Sequence, residues 1–208
     1  MARTIDEVEA RLAATSPWLD TGEARMQAAV SLVLRERGND LEALFIRRAE
    51  FEGDPWSGHI AFPGGRIDPG DAHARAAAER ETVEEVGLDL ARARRIGRLS
   101  DVLGHAESIR VSAWVYAIDG DPPLQPNYEI REVFWSPLHH CTDPERQAMR
   151  EFSYLEHSMP LPTIRLLEDT RAPVLWGITY KFMDDFMARI GRPIPFMPWE
   201  EHDLRPDA

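Results

Sequence analysis

The chain has 208 residues and a formal net charge of −12, with 43% hydrophobic and 29% charged residues. This acidic balance argues against a nucleic-acid partner bound through a basic groove. The single cysteine excludes an internal disulfide or a thiolate cage for a metal. No apolar run reaches the roughly 20 residues that span a bilayer, and the N-terminus has no apolar signal core. We therefore predict a cytoplasmic protein with no membrane partner, and one domain over residues 1–208.

The first part of the chain predicts a helix, two strands and a glycine-rich loop. Residues 4–14 begin with a capping-box pattern and form the first helix. Two apolar, β-rich segments, 26–36 and 41–49, flank the turn-forming sequence RGND. A polar loop follows, and HIAFPGGRIDPGD then supplies a short strand and a loop punctuated by glycine.

A longer helix comes next, over residues 72–86, because its Ala, Arg and Glu residues favour helix strongly. Asp71 can cap its start, and Gly87 stands where a left-handed C-cap is favoured. Three further strands, a C-terminal helix and an irregular tail are predicted at 93–103, 108–118, 129–137, 176–190 and 191–208. This order predicts an α/β sandwich in which a mixed sheet lies between helices.

Three glutamates converge on one face of the second helix. Glu81, Glu84 and Glu85 stand at positions i, i+3 and i+4, which share a face. Like charges at this spacing repel each other unless a cation neutralises them. Gly64 and Gly65 let the backbone approach a ligand closely and expose carbonyl oxygens. Because these donors are hard oxygens, we predict Mg²⁺ or Mn²⁺ as the cofactor, with a solvated acidic face as the alternative.

The neighbours of these glutamates support a binding role. Arg80 can hold one carboxylate in place by a two-pronged hydrogen bond. Ala74, Ala77 and Ala78 lie on roughly the same helical face, and their small size is expected to leave room above it.

The segment FPGGRIDPGDAHARAAAERETVEEVG resembles the Nudix box: Gly, five residues, Glu, seven residues, then Arg-Glu-U-x-Glu-Glu-x-Gly-U, where U is a bulky aliphatic residue. The second half is matched without a gap by Arg80, Glu81, Glu84, Glu85, Gly87 and Leu88. Asp71 stands where the first Glu belongs, one residue further from Arg80, so we interpret it mainly as a helix cap. Thr82 replaces an aliphatic residue, which concerns packing more than chemistry.

This resemblance implies a Nudix-type α/β/α sandwich and the hydrolysis of a nucleoside diphosphate linked to another group. It implies that Glu81, Glu84 and Glu85 hold the metal, aided by a backbone carbonyl at Gly64 or Gly65. Members of the family often dimerise, so a homodimer is a further expectation.

Glu129 matches a position where many members of the family place a further metal ligand or the catalytic base. An edge-strand carboxylate without such a role is the alternative. Either Glu85 or Glu129 would take the proton from the attacking water. The predicted catalytic residues are Arg80, Glu84, Glu85 and Glu129.

The residues ahead of the box resemble the coenzyme A pyrophosphatase branch of the family. Its Gly-x-x-Ala-Phe-Pro-Gly-Gly run is present at residues 58–65, and Arg48 matches an arginine after the second strand. The late LWGITYKFM is similar to the C-terminal helix of that branch. Three features differ: Gly53 stands near an expected second arginine, the loop is one residue longer, and His59 replaces a residue that is often glutamine.

This branch implies that water splits coenzyme A or an acyl-coenzyme A into 3′,5′-ADP and (acyl-)phosphopantetheine. The candidates for binding substrate are Arg47, Arg48, Trp56, His59, Gly64 and Gly65. The arginines suit phosphates and Trp56 suits stacking on adenine. ADP-ribose, a dinucleoside polyphosphate or a nucleoside triphosphate are alternative substrates. A non-catalytic ligand-sensing module is a competing hypothesis from another class.

Two further groups are interpreted as structural. His139, His140 and Cys141 are adjacent in a chain that leaves a strand, so their side chains point apart and do not favour a metal site. Trp135 and Trp176 are expected in the core.

Overall fold

A mixed β-sheet organises the protein, and the computed structural model describes it over residues 2–22, 26–52, 56–104, 109–154 and 157–195. The α-helices in these ranges are α1 (Ile5–Ala13), α2 (Ala74–Val86) and α3 (Gly177–Arg189). The strands are β1 (Met26–Arg37), β2 (Asp40–Arg48), β3 (Ile60–Ala61), β4 (Gly64–Arg66), β5 (Arg94–Arg98), β6 (Val102–Gly104), β7 (Ile109–Ala117), β8 (Ile130–Pro137), β9 (Gln147–Tyr154) and β10 (His157–Ile164).

The strand order of the main sheet is β3–β2–β1–β7–β5, with β4 paired to β1, β6 to β7 and β8 to β2. The central pair, β1 and β7, is parallel, with Met26 opposite Ile109 and Leu34 opposite Ala117. The other pairings within this sheet are antiparallel. The predicted mixed sheet is therefore confirmed.

The glycine-rich segment is held between the two strands that begin the sheet. β1 and β2 pair beside the turn at Gly38, which has a φ of 61°. Further from this turn, β3 pairs with β2 and β4 pairs with β1. The Ser31 amide also donates to the Pro63 carbonyl at 2.8 Å. These contacts fix the backbone of the glycine loop against the centre of the sheet.

Helices cover both faces of the sheet, as predicted for the sandwich. On one face, Ala77 and Ala78 of α2 are fully buried against Ala29 of β1. The expectation that these alanines leave room for a ligand is wrong, because their small side chains instead bring α2 close to the sheet. The other face packs on α1 and α3, whose buried side chains include Val8, Leu12, Tyr180, Phe182, Phe186 and Met187.

Three local predictions need correction. His73, not Asp71, caps α2, because its Nδ1 accepts the Ala76 amide at 3.0 Å. The strand predicted over 93–103 is two strands, since the Asp101 amide leaves the sheet and donates to the Trp18 carbonyl. The hairpin of β9 and β10 is absent from the sequence prediction. Gly53, Ser108 and residues 196–208 lie outside the described residues.

Candidate active site

Glu85 is the most deeply placed acid of α2, with 2% of its surface exposed. One carboxylate oxygen accepts the Gly64 amide at 2.8 Å, and the other lies 3.8 Å from the Arg48 guanidinium. Burial, strengthened by the negative charges of Glu81 and Glu129, raises the pKa of Glu85 to about 8. The Gly64 amide and Arg48 therefore offset only part of the effect of burial, and a further positive charge would stabilise the ionised carboxylate.

Glu81 lies directly against the glycine loop. A Cβ placed on Gly65 would fall 2.5 Å from the Glu81 carboxyl carbon, so only glycine allows this approach. Gly64 has a φ of 147° and its missing Cβ would overlap the Ala29 carbonyl oxygen. Burial raises the pKa of Glu81, against the opposing effect of the Arg80 hydrogen bond. The paired glycines therefore bring backbone and carboxylates into contact.

Arg80 forms hydrogen bonds with three acids of the site. Its Nη1 donates to Glu81 at 2.9 Å and to Glu84 at 3.1 Å. Its Nε and Nη2 form a two-pronged hydrogen bond with Asp71, at 3.1 and 3.0 Å. Asp71 therefore orients the arginine instead of capping the helix, and this bond lowers the pKa of Asp71. The order of residues along the chain gave no sign of this pairing.

The glycine loop at Gly64 and Gly65 and the acids of α2 lie at one corner of the molecule. The chemistry of these residues fits a hard divalent cation. The donors are carboxylate and carbonyl oxygens, and the buried Glu85 has a raised pKa beside a second, partly buried acid, Glu81. Glu84 is different, because its side chain is 54% exposed and bonded to Arg80. Within the described ranges, no three His, Cys, Asp or Glu side chains are grouped so that they could hold a metal ion. The predicted ligand set of Glu81, Glu84, Glu85, Glu129 and Gly65 stays a prediction.

Glu129 is brought to the same corner by the start of β8. Its carbonyl accepts the Ala49 amide at 2.7 Å, next to the end of β2. Its charge also contributes to the raised pKa of Glu85, which is consistent with proximity of the two carboxylates. The exposed Tyr128 precedes it, and hydrogen bonding to Glu129 raises the pKa of the Tyr128 phenol.

The predicted substrate residues are divided between this corner and its surroundings. Arg48 faces Glu85, whereas Arg47 lies 3.4 Å from Glu50. Trp56 is 41% exposed on the loop between β2 and β3, as a stacking role requires. His59 ends that loop and packs edge-on against Trp176, with ring centroids 4.8 Å apart.

Trp176 was expected in the core, but it is only partly buried and lies at the N-terminus of α3. Its ring stacks on Phe152 of β9 with centroids 3.9 Å apart. The residue thereby connects the β9–β10 hairpin to His59, a contact that the sequence pattern did not indicate. Trp135 is also partly buried, and the Arg35 guanidinium lies over its ring at 4.1 Å.

The prediction that the side chains of His139 and His140 point apart is wrong, because their rings pack edge-on with centroids 4.7 Å apart. Their polar partners differ. The His139 ring lies 3.0 Å from an Asp40 oxygen, and the His140 ring lies 3.0 Å from the Leu166 carbonyl. Burial raises the pKa of the Cys141 thiol to about 12.

None of the helices in the described part of the chain has the length and apolar character needed to cross a membrane.

The region that is similar to known proteins includes the candidate active site. A family model for the NUDIX domain matches residues 25–155, which include the glycine loop, α2 and Glu129. The chain belongs to the Nudix family. Members of this family generally use divalent metals and act on small nucleotide substrates.

Two curated Nudix relatives are similar over this region. The chain is 33% identical to the peroxisomal coenzyme A diphosphatase NUDT7 of Mus musculus, over 56% of the chain and 49% of that protein. It is 31% identical to the mitochondrial coenzyme A diphosphatase NUDT8 of Homo sapiens, over 68% of the chain and 59% of that protein. The chain thus spans about half the length of the curated relatives it matches.

A solved structure supports the fold independently of these relatives. The crystal structure of a MutT/nudix family protein from Enterococcus faecalis matches with a TM-score of 0.56 and 16% identity. The match covers 92% of this chain and 75% of that one. At this identity the likeness concerns the fold, which is the Nudix sandwich predicted from the sequence.

Proposed function

We propose that this protein is a pyrophosphohydrolase that requires a divalent metal and splits the diphosphate linkage of coenzyme A or an acyl-coenzyme A. The products would be 3′,5′-ADP and (acyl-)phosphopantetheine. Membership of the Nudix family supports the reaction class, and the two coenzyme A diphosphatase relatives support the substrate. The observation that carries the proposal is the buried Glu85 carboxylate, held by the Gly64 amide next to Glu81.

The metal site would be built from Glu81, Glu84 and Glu85, with Glu129 and the Gly65 carbonyl as further donors. Mg²⁺ or Mn²⁺ would suit these hard oxygen atoms and, when bound, would polarise the phosphoryl group that water attacks.

Arg80 would fix the orientation of the acids, because it donates to Glu81 and Glu84 and is itself held by Asp71. The guanidinium of Arg48, at the end of β2, would bind the phosphates of the nucleotide. Glu129 would take the proton from the attacking water, since Glu85 is almost fully buried and already accepts a backbone amide. Glu85 is the alternative base.

The function is tested by incubating the purified protein with Mg²⁺ or Mn²⁺ and a panel of substrates: coenzyme A, acetyl-coenzyme A, ADP-ribose, diadenosine polyphosphates and dGTP. Products are separated by chromatography and identified by mass. We expect 3′,5′-ADP and phosphopantetheine from coenzyme A, and no product when a chelator is added. Cleavage of ADP-ribose alone would keep the chemistry of α2 and refute the proposed substrate. Folded protein that binds metal but cleaves nothing would favour a ligand-sensing module.

The double change Glu84→Gln/Glu85→Gln tests the residues. We expect kcat to fall by at least about 100-fold with little change in melting temperature, because charge is removed and shape is kept. Glu79→Gln is a matched control on the same helix, where Glu79 bonds Arg75 and the Tyr116 hydroxyl. Full activity of the folded double variant would contradict the proposed metal site, whereas an equal loss in the control would indicate a structural effect.

We also propose that the protein acts in the cytoplasm on a small nucleotide, without a nucleic-acid partner. A homodimer stays a prediction from the family. Light scattering at several protein concentrations would test that state directly.

A further inference from the structure

The C-terminal end of α2 is fastened to the loop that precedes β8. The last carbonyls of a helix have no partner within the helix and need one elsewhere. Here the Gln125 amide donates to the Val86 carbonyl at 2.8 Å, and the Asn127 amide donates to the Glu85 carbonyl at 3.0 Å. Gly87 has a φ of 71°, and a Cβ on it would lie 3.2 Å from the Gln125 Cβ. The final glycine of the box therefore allows this close approach.

Asn127 joins that helix end to Glu129. Its side-chain oxygen accepts the Glu129 amide at 2.9 Å, and its carbonyl accepts the Ile130 amide at 3.2 Å. Such a bond from an Asn side chain to the amide two residues ahead is an Asx turn, which fixes the local backbone. One residue thus contacts the backbone of both Glu85 and Glu129.

We propose that Asn127 is a positioning residue that sets the distance between Glu129 and the Glu85 carboxylate. This inference rests on the proposed function, in which the two acids act on one diphosphate. Asn127 acts here through the backbone, because its amide, its carbonyl and its side-chain oxygen each bond a backbone group. A displacement of about 1 Å in a catalytic group can cost about 100-fold in rate, so the Asx turn would matter for turnover more than for stability.

Three substitutions at this position test the proposal. Asn127→Leu keeps the approximate shape and removes the acceptor oxygen. Asn127→Asp restores an acceptor of the same reach, and Asn127→Ser restores one without adding charge. For coenzyme A hydrolysis we expect Asn127→Leu to lower kcat by about 10- to 100-fold while KM stays within about threefold. We expect Asn127→Asp or Asn127→Ser to recover most of the loss.

A matched control exists in a loop remote in sequence from the box. Asp169 accepts the amide of Arg171 at 2.9 Å, the same bond over the same spacing. Asp169→Leu should therefore lower the melting temperature about as much as Asn127→Leu does, with kcat unchanged. A merely structural role for Asn127 would make the two Leu variants equal in both measurements.

A second measurement separates this inference from the proposed function. Amide hydrogen exchange of Glu129, followed by NMR, should accelerate in Asn127→Leu and return towards the parent rate in Asn127→Asp. If the parent is active, two results would refute the positioning role and leave the proposed function standing. One is a kcat of Asn127→Leu within about twofold of the parent, and the other is no recovery of activity in either Asn127→Asp or Asn127→Ser. If the parent cleaves no diphosphate, the proposed function is refuted. Unchanged exchange of the Glu129 amide in Asn127→Leu would then also refute the proposal that Asn127 holds Glu129 in place.

Discussion

The helices on the two faces of the central sheet pack against it in different ways. On the α2 face, Ala77 and Ala78 press against Ala29, so that the helix backbone lies close to the strands. Large buried side chains fill the other face, which α3 supplies with Tyr180, Phe182, Met183, Phe186 and Met187. Small residues bring the acids of α2 within reach of the glycine loop, whereas large residues remove most apolar surface from water. The acids are therefore positioned from the α2 side, whereas apolar residues are buried on both sides, including Leu44 and Tyr116 on the α2 side.

The charged groups follow the same division. On the α2 side, the acids and Arg80 form a connected set at the edge of the helix. On the α3 side, Asp184 is buried, and its Oδ1 has no hydrogen-bond partner within the described residues. If this comparison is right, substitutions on α3 should change the free energy of unfolding and leave kcat alone. The following changes test it.

Phe186→Ala should have the largest effect. Phe186 is fully buried in the α3 core, and truncating such a side chain costs about 3–5 kcal/mol through lost burial and the cavity that remains. Urea unfolding measures the loss, and kcat for coenzyme A should stay within about twofold at temperatures where the variant is folded. Val83→Ala on the exposed side of α2 is the control, with an expected change below about 0.5 kcal/mol. A large loss of kcat in folded Phe186→Ala would break the division between the faces.

Asp184→Asn should stabilise the protein by about 2 kcal/mol at pH 7. Burial raises the pKa of Asp184 from 3.8 to about 6, so the folded protein prefers the protonated acid. This acid's favourable contribution is complete below pH 4 and is lost as pH rises through 6. The advantage of Asn should therefore be absent near pH 4 and reach its full size above pH 6, as measured by urea unfolding at each pH.

Asp185 is the matched control for that change. It accepts the Ser100 amide at 3.0 Å and lies 3.8 Å from Arg189. Asp185→Asn should therefore lower stability, the opposite sign to Asp184→Asn. Equal effects at the two neighbouring positions would contradict the burial of Asp184 and the lack of a partner for its Oδ1 within the described residues.

Thr82→Val should have the smallest effect, about 1 kcal/mol or less. The Thr82 hydroxyl donates to the Ala78 carbonyl at 2.7 Å and lies 3.0 Å from the Ser31 hydroxyl, which itself donates to the Ala78 carbonyl at 3.3 Å. Thr82 is thus one part of the polar contact between α2 and β1. Valine keeps the shape and is the type of residue that the Nudix pattern expects there. We expect kcat to stay within about twofold of the parent. A loss above about 3 kcal/mol in the free energy of unfolding, measured with urea, would contradict this small contribution of the hydroxyl.

The part of the site that depends on one helix was readable from the sequence. The i, i+3, i+4 spacing places the acids on one face whatever surrounds the helix, and Gly87 has the left-handed conformation expected of the C-cap. Asp71 was misread because a guanidinium nine residues along the chain binds it in two places. The capping bond at the start of α2 is made by His73. The sequence has no periodic pattern that shows whether the Asp71 carboxylate caps α2 or binds Arg80.

The parts that depend on distant chain segments were not readable. Asn127 is tied to Glu85 by backbone groups, which carry no sequence signature. The sequence does not indicate the hairpin, because Pro160 and Pro162 lie within β10 and proline disfavours strands. In a two-stranded sheet a proline can be accommodated on the edge away from the partner strand, which in β10 is bridged at Ile164 by Leu175.

The parallel pairing of β1 with β7 also determines the order in which the protein can be completed on the ribosome. β1 can meet β2, β4 and α2 soon after synthesis, because they follow it closely in the chain. Its other edge waits until Ile109–Ala117 has left the exit tunnel. Until then, the nascent chain exposes one long, apolar strand edge that other chains can join. The candidate active site is thus assembled around a sheet whose centre closes late, and chaperones would have most to protect at that step.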